Sequence, residues 1–214
     1  MTLWERCCDL LFPPRCAVCG RVGVRGLCPK CEGTLPYCRT PLHERAGIGA
    51  CLAPLKYEGQ VREALLAYKF HGSRSRCIGF AEILTQAAAE QLGGEFDMVS
   101  YVPVSEKRRR ERGYDQAYLL AREVCRHWDC EPVALLEKVK HNSAQSSLRS
   151  REERARNVVG AYRAVAPEKI AGARILLIDD ILTTGATLGE CARVLREAGA
   201  AQVLCATLAA ADED

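Results

Sequence analysis

The segment 175–187, with the sequence ILLIDDILTTGAT, limits the fold more than any other stretch of the chain. Its four consecutive branched apolar residues predict a strand buried on both faces, as in a parallel sheet. Two carboxylates end that strand, and apolar residues at helical spacing between Leu188 and Leu195, followed by Gly199, predict a helix after a short turn. This order brings backbone N–H groups and the positive end of a helix to one point, which suits a phosphate.

The turn and the acidic pair predict two neighbouring subsites. The predicted phosphate-binding residues are Thr183, Thr184, Gly185, Ala186 and Thr187. Threonine hydroxyls add donors, and a glycine lets the backbone come close to a ligand. Asp179 and Asp180 would repel a phosphate, so they suit the hydroxyls of a polyol or a Mg²⁺ ion instead. A phosphate next to hydroxyl groups describes a ribose 5-phosphate.

In its whole pattern, segment 175–187 resembles the phosphoribosyl pyrophosphate (PRPP) binding motif of type I phosphoribosyltransferases. The match runs through the apolar strand, the acidic pair, two apolar residues and then Thr-Thr-Gly-Ala-Thr. The alternative is a strand-to-helix turn that happens to carry Asp and Thr, which are common turn residues. The segment is neither a Walker loop, since no Gly-Lys-Thr follows, nor a dinucleotide-binding glycine motif.

Two Cys-x-x-Cys pairs near the N-terminus predict a metal site. Cys16, Cys19, Cys28 and Cys31 can surround Zn²⁺ tetrahedrally, and four thiolates leave no open position, which favours a structural role. A segment this short would take its folding energy from the metal. Four buried or disulfide-linked cysteines are the alternative, and the spacing alone leaves an iron–sulfur centre open. The single ligands Cys38, His43 and Cys51 are ambiguous, and we leave them out of the predicted site.

Composition bounds the remaining possibilities. With 214 residues and 48% hydrophobic content, the chain allows one domain of ordinary size plus a small appendage. We divide it at residue 51, with an N-terminal helix and cysteine-rich zinc module at 1–51 and the larger domain at 52–214. The net charge of +3 does not by itself argue for nucleic acid, and no long apolar run predicts a membrane span. Thirteen cysteines without a recognisable export signal favour reduced thiols and a cytoplasmic location.

Basic segments follow several predicted elements. A predicted strand at 96–104 leads into 105–116, which is rich in Lys and Arg, and guanidinium groups match phosphate oxygens well. Basic runs are usually only solvated surface, but this one sits at a strand end, where open α/β sheets bind ligands. Further strands are predicted at 133–139, 157–165 and 202–209. The polar segment 140–156 between two of them is predicted to be a mobile lid or, alternatively, an ordinary surface loop.

Several stretches together resemble the ComF family, which comprises competence-associated proteins with a phosphoribosyltransferase domain. Its members carry an N-terminal zinc module and three further segments, here Tyr68 to Gly72, Arg110 to Gln116 and Gln145 to Asn157. The resemblance covers nearly the whole chain from Cys16 onward. Two departures are visible: only Cys38 remains of a second Cys-x-x-Cys, and Asp115 stands where Asn is usual.

The resemblance implies a fold and a layout of the site. The fold is α/β, with a mostly parallel five-stranded sheet flanked by helices and a small N-terminal zinc-binding module. Asp179 and Asp180 are then the catalytic acids that hold the ribose hydroxyls. The implied pyrophosphate-binding residues, which act with Mg²⁺, are Lys69, Ser105, Lys107, Arg108 and Arg112. The implied lid residues are Gln145, Arg149, Arg154 and Arg156.

Three functions are compatible with these sequence features. The chain could transfer phosphoribosyl from PRPP to an unidentified nitrogen acceptor and release pyrophosphate. It could instead be an accessory factor in DNA uptake or natural transformation, which binds single-stranded nucleic acid, works with competence proteins and uses the PRPP site for recognition. The third function is a PRPP-sensing regulator without turnover. Release of pyrophosphate from PRPP separates the first function from the other two.

Overall fold

The computed structural model describes residues 13–45, 47–70, 74–140 and 156–211. Helices α1 to α7 are Pro29–Glu32, Gly59–Phe70, Cys77–Leu92, Glu106–Arg112, Gln116–His127, Pro167–Ile170 and Ala186–Glu197. Strands β1 to β10 are Leu42–Arg45, Gly49–Leu52, Leu55–Lys56, Met98–Tyr101, Leu136–Lys138, Tyr162–Ala164, Arg174–Ile178, Ile181–Leu182, Gln202–Ala206 and Ala209–Ala210. In the described part of the chain, no helix is both long and apolar enough to cross a membrane.

The main sheet has five strands in the order β1-β2-β9-β7-β4. Its pairings are parallel except for β1 with β2, so the expected mostly parallel five-stranded sheet is confirmed. Strand β7 lies between β9 and β4, with Ile178 in register with Ala206 on one side and Tyr101 on the other. A strand bonded on both edges and covered on both faces must be apolar, which is what its sequence shows.

Helices cover both faces of this sheet, as the resemblance implied. Helices α2, α3 and α5 pack on one face, where Leu176 and Ile178 of β7 enter their core. Helix α7 packs on the other face, against Ile175 and Leu177. The alternation of neighbouring β7 residues between two cores follows directly from the pleat of a strand.

Three of the predicted strands are shorter or placed differently than expected. The predicted strands 133–139 and 157–165 contain β5 and β6, which pair antiparallel with each other outside the main sheet. Their charged residues Glu137 and Arg163 form an exposed ion pair, which a doubly buried strand could not hold. The predicted strand 202–209 is split into β9 and β10, because the N–H of Thr207 turns to Leu52 O.

The basic segment after β4 forms the short helix α4. Ser105 caps α4 by accepting a hydrogen bond from the N–H of Arg108 at 3.4 Å. Glu106 pairs with Arg109 and Arg110 at helical spacing, with N···O distances of 2.9 and 3.7 Å. A capping serine and ion pairs of this spacing stabilise a short helix.

The cysteine-rich segment packs on helix α3. Gly79 of α3 touches this segment so closely that a Cβ built there would lie 2.7 Å from Gly26 O and 2.8 Å from the Ala17 Cβ. Arg76 donates hydrogen bonds to the carbonyl oxygens of Ala17 and Val18, the latter at 2.7 Å. The backbone of the cysteine-rich segment therefore packs directly against helix α3 and the arginine that precedes it.

The expected division at residue 51 falls inside strand β2, which pairs in parallel with β9. Strands β1 and β2 thus belong to the main sheet, and the placement of the division stays a proposal. The expected N-terminal helix lies outside the described residues, as does segment 141–155, which holds most of the expected lid.

We predict that Gly79→Ala destabilises the protein, whereas Gly189→Ala does not. Both glycines are helical, but a Cβ at Gly189 meets its nearest atom at an ordinary 3.7 Å. Alanine favours a helix over glycine by about 1 kcal/mol, so Gly189→Ala should be neutral or stabilising. Gly79→Ala should lower the melting temperature, because the added Cβ would push the cysteine-rich segment away from helix α3. Thermal unfolding of both variants checks this, and equal melting temperatures would contradict it.

Candidate functional site

A cleft of about 460 Å³ lies where strand β7 ends. The acidic pair and the following turn form one wall, and α2 with the preceding Tyr57 forms another. The remaining wall comes from seven residues between 102 and 117 and from Lys138 and Tyr162 of the β5–β6 pair. The cleft therefore stands at the carboxyl end of parallel strands, where α/β sheets bind ligands.

The acidic pair is held by the backbone and by one cation. The N–H of Asp179 donates to Ala206 O at 3.0 Å, and the N–H of Asp180 donates to the Asp179 carboxylate at 2.8 Å. Lys69 Nζ lies 2.8 Å from Asp180 Oδ2. Asp180 is buried, and its charge is compensated by this ammonium group.

Asp179 has an unusual protonation equilibrium. Burial raises the pKa of its carboxyl, and the negative charge of Asp180 raises it further, to about 7. The ammonium of Lys69 and the N–H of Asp180 act in the opposite direction but do not cancel these two effects. A carboxyl that is half protonated near neutral pH can both donate and accept hydrogen bonds to hydroxyl groups.

The predicted phosphate turn lines the cleft through all five of its residues, 183–187. Gly185 has a φ of 74° and precedes α7, so the N-terminus of a twelve-residue helix faces the cleft. The positive φ favours glycine at this position, and a Cβ at Gly185 would also lie 2.6 Å from Ile48 Cδ1, the end of a side chain that would have to move. The N–H of Ala186 donates to Thr184 Oγ1 at 3.4 Å and rigidifies the turn. Backbone N–H groups, threonine hydroxyls and the positive end of the helix dipole at this turn suit an anion.

Of the five expected pyrophosphate-binding residues, Lys69, Arg108 and Arg112 line the cleft. Arg112 donates to Gln116 Oε1 at 2.9 Å, and its guanidinium lies 4.9 Å from the centre of the Phe70 ring. Burial lowers the pKa of Arg112, although Asp180 opposes that change. Such half-buried cations interact strongly with an incoming anion, because water screens them little.

Ser105 and Lys107, also expected at the pyrophosphate, do not line the cleft. Ser105 is buried and caps α4, and Lys107 points to solvent, where its Nζ lies 3.9 Å from Glu111 Oε1. Asp115, which departs from the usual Asn of the ComF segment, has a positioning role. Its carboxylate accepts hydrogen bonds from the N–H groups of Val104 and Tyr118, both at 3.0 Å, and so joins the end of β4 to α5.

The sequence interpretation did not single out Lys138, Tyr162, Arg62 or Tyr57, all of which line the cleft. Lys138 Nζ lies 3.1 Å from the Tyr162 hydroxyl, and burial, followed by Arg108, lowers the pKa of Lys138. A basic residue near the end of a predicted strand, just before a basic loop, was a usable signal. For Arg62 and Tyr57 the sequence offers no comparable signal.

Three of the four expected lid residues, Gln145, Arg149 and Arg154, lie outside the described residues. Arg156 is described; it is exposed and does not line the cleft. The lid therefore stays a prediction.

The four cysteines of the two Cys-x-x-Cys pairs come together as predicted. Their sulfur atoms all lie within 4.8 Å of one another, and Cys19 Sγ is 3.8 Å from Cys28 Sγ. Zinc–sulfur bonds of about 2.3 Å in a tetrahedron place the sulfurs about 3.8 Å apart, so the cluster is consistent with structural zinc. Burial opposes ionisation of Cys16, but N–H groups of Cys28, Cys19 and Val18 overcome it and lower its pKa to about 6.

No second metal group forms around the ambiguous residues in the described part of the chain. His43 and Cys51 are register partners in β1 and β2, but they do not join Cys38 in a metal-binding cluster. Cys51 is fully buried, and its burial raises its pKa to about 12, which disfavours the thiolate that a metal needs.

Comparisons with known proteins agree with this geometry. A family described as "Phosphoribosyl transferase domain" matches residues 111–214. The chain is 30% identical to "Competence protein ComFC" of Bacillus subtilis (strain 168) over 187 residues, which cover 87% of this chain and 73% of that protein. It is 31% identical to "DNA utilization protein YhgH" of Escherichia coli O157:H7, and the match covers 90% of each chain. A match at 35% identity to "Competence protein F" of Haemophilus influenzae spans 48% of this chain and less than half, 45%, of that protein.

We expect about one zinc ion per chain, bound by the four clustered thiolates. Elemental analysis of freshly purified, reduced protein measures it. Cys16→Ser should lose most of the metal, because the fourth ligand of a closed site is removed. Cys130→Ser, at an exposed cysteine outside the cluster, is the matched control and should keep it. Metal-free wild-type protein would refute the site, and iron in a brown protein would identify an iron–sulfur centre instead.

We expect Asp179→Asn to raise the melting temperature by a few degrees at pH 8 and by less at pH 5. A carboxyl whose pKa is higher in the folded state loses stability as pH rises from about 4, its unfolded value, to about 7. Asparagine removes that loss. Asp97→Asn is the control and should lower the melting temperature instead, since hydrogen bonds from Arg174 stabilise the Asp97 carboxylate and lower its pKa. Equal shifts of Asp179→Asn at both pH values would contradict the assignment.

Proposed function

The chain belongs to the ComF family, and from that membership and the geometry of its cleft we propose that it binds PRPP with Mg²⁺ and transfers the phosphoribosyl group to a nitrogen acceptor. The observation that carries the proposal is that the acidic pair, the phosphate turn and several cations line one cleft. A sugar flanked by a phosphate and a pyrophosphate needs this division into a hydroxyl-binding part and two anion-binding parts.

The phosphate turn supports binding of the 5-phosphate. Residues 183–187 and the N-terminus of α7 supply N–H groups, hydroxyls and the positive end of the helix dipole. Asp179 and Asp180 lie directly before this turn and would accept hydrogen bonds from the ribose hydroxyls. With its raised pKa, the Asp179 carboxyl is suited to a neutral polyol partner.

The charge of the cleft supports binding of a polyanion. Among the described lining residues, the cations are Arg62, Lys69, Arg108, Arg112 and Lys138, and the anions are Asp179 and Asp180. We assign pyrophosphate to Arg108, Arg112 and Lys138, which line the same cleft as the acidic pair. The acidic pair would also hold Mg²⁺, a hard cation that prefers oxygen ligands and neutralises phosphate charge.

The proposed reaction is a displacement at C1 of the ribose. The bond from C1 to the pyrophosphate oxygen breaks and its electron pair leaves with pyrophosphate, while a nitrogen lone pair forms the new bond to C1. A proton on that nitrogen passes to solvent. Arginine side chains that are already in place stabilise the charge that grows on the leaving group, which is electrostatic catalysis.

A second function is favoured by arginine–aromatic pairs, one of which lines the cleft. The guanidinium carbon of Arg112 lies 4.9 Å from the centre of the Phe70 ring, and that of Arg122 lies 5.9 Å from the centre of the Tyr118 ring. Basic side chains interleaved with aromatic rings suit single-stranded nucleic acid. Relatives are named for competence and for DNA utilization. We therefore propose DNA uptake as the biological setting, with single-stranded DNA and competence proteins as partners.

Calorimetry with PRPP and Mg²⁺ tests the binding site. We expect the double variant Asp179→Asn/Asp180→Asn to bind PRPP at least about tenfold more weakly, since each hydrogen bond to a charged group is worth roughly 1.5–3 kcal/mol. Asp97→Asn, an exposed aspartate paired with Arg174 away from the cleft, is the matched control and should bind normally. The same affinity in the double variant and the wild type would contradict the assignment of the acidic pair to the ribose hydroxyls.

Turnover is tested by pyrophosphate release from PRPP in the presence of a panel of nucleobases and amines. Release that depends on one acceptor and is lost in the double variant supports the transferase. PRPP binding without release from any acceptor favours the sensing regulator. Binding of an oligothymidylate that weakens steeply as salt rises supports the nucleic-acid function, because phosphate contacts release counterions.

A further inference from the structure

A second cavity, of about 680 Å³, lies at the end of the main sheet opposite the cleft. Met98, the first residue of β4, lines this cavity, whereas residues that follow β4 line the cleft. Asp97 also lines the cavity and pairs with Arg174, the first residue of β7, at an N···O distance of 2.7 Å. The cavity and the cleft therefore stand at opposite ends of the same parallel strands.

The lining of this cavity is mostly apolar. Phe96 and Trp128 form its aromatic part, with ring centres 5.3 Å apart and ring planes at 47° to each other. Both side chains are half-buried, so part of each ring remains exposed. Met98, Val99 and Val133 add aliphatic surface. Concave sites of this size and composition are typical of pockets that bind small organic molecules.

The charged side chains among the described lining residues are both acidic. Asp97 is paired with Arg174, which compensates much of its charge. Glu131 is exposed. No lysine or arginine is found among these described lining residues. A phosphate or a carboxylate would therefore be repelled here, in contrast to the cleft.

Two helices reach this cavity with their carboxyl ends. Ala89 and Gly93 bring the end of the sixteen-residue helix α3 to its wall, and Trp128 directly follows the last residue of α5. The C-terminus of a helix carries partial negative charge, which favours a nearby cation. The last turn of α5 contains Arg126 and His127, but the last turn of α3 has no basic residue. The end of α3 therefore adds a negative potential that its own side chains do not offset.

We propose that this cavity binds a small organic cation, an amine or guanidinium compound with an apolar body. The body would pack on Phe96 and Trp128, whose ring faces also attract a cation. The cationic group would lie toward Glu131 and the end of α3. This polarity is the reverse of that in the cleft, where the N-terminus of α7 and several cations suit an anion. Neither PRPP binding nor phosphoribosyl transfer is needed for this site.

NMR titration of isotope-labelled protein tests the site with three probes of similar size, namely phenethylammonium, phenethyl alcohol and hydrocinnamate. The indole N–H of Trp128 is the reporter, and Trp128→Phe identifies its signal, since the sequence has only one other tryptophan, Trp4. We expect phenethylammonium to shift this signal and to bind at least about tenfold more tightly than hydrocinnamate. The acidic side chains and the end of α3 attract the ammonium and repel the carboxylate. The neutral alcohol should fall between them.

Three variants test the groups that are assigned to the site. Glu131→Gln should weaken the binding of phenethylammonium about two- to fivefold, the range of an exposed ion pair, and leave that of the alcohol unchanged. Glu90→Gln, at an exposed acid of α3 that does not line the cavity, is the matched control and should bind both probes like the wild type. Ala89→Phe, at an exposed position of the same helix, should fill the cavity and abolish the binding of all three probes.

Equal affinities of phenethylammonium and hydrocinnamate would overturn the proposal, as would a Trp128 signal that saturating phenethylammonium leaves unchanged. Shifts of the Gly185 amide in place of the Trp128 indole would locate the amine in the cleft and overturn it as well. A parallel titration with PRPP and Mg²⁺ separates this site from the proposed function. Amine binding at Trp128 in a protein that fails to bind PRPP would support the cavity and contradict only the proposed function.

Discussion

The burial of β7 on both faces is the constraint on which the cleft depends. Alternate side chains of this strand enter two separate cores, and both of its edges are bonded to parallel neighbours. Such a strand cannot slip by one residue without exchanging the two sets of side chains. Its end is therefore fixed, and the two carboxylates that follow leave the sheet at a defined point. The position of the acidic pair is therefore set by the core on both sides of the sheet.

Around this fixed end, hydrogen bonds tie segments that are distant in sequence. The hydroxyl of Tyr68 donates to Gln116 O at 2.7 Å, and the hydroxyl of Tyr114 donates back to Tyr68 O. Gln116 uses its side chain to bond both Lys69 O and Arg112. Helices α2 and α5 are joined at the level of the cleft, so the cation beside Asp180 and the cations of residues 108–112 keep a constant spacing. Buried polar networks that are satisfied in this way favour a single arrangement.

Much of this arrangement was predictable because the deciding signals are local. The buried strand, the acidic pair and the glycine turn are contiguous, and each follows from periodicity or turn chemistry. The cysteine spacing is equally local. By contrast, the place of Lys138 at a strand end is only a weak local signal, because its entry into the cleft depends on an antiparallel pair whose second strand follows more than twenty residues later. For Lys107 the prediction was wrong in the opposite direction. Its charge predicted contact with pyrophosphate, but the periodicity of α4 directs the side chain toward Glu111 and solvent. Sequence patterns specify which residues share an element, while tertiary packing decides which of them face the site.

In the ion pair between Lys69 and Asp180, each side chain neutralises the charge of the other within the cleft. An anion that lacks a sugar can occupy the phosphate turn and leave this pair intact. A ribose that bonds to both carboxylates must share Asp180 with the ammonium or displace it, and a displaced ammonium becomes one more cation for the pyrophosphate. Under the proposed function, this one lysine therefore lets the cleft discriminate between a simple phosphate and a phosphorylated sugar, because only the sugar competes with its ammonium for Asp180.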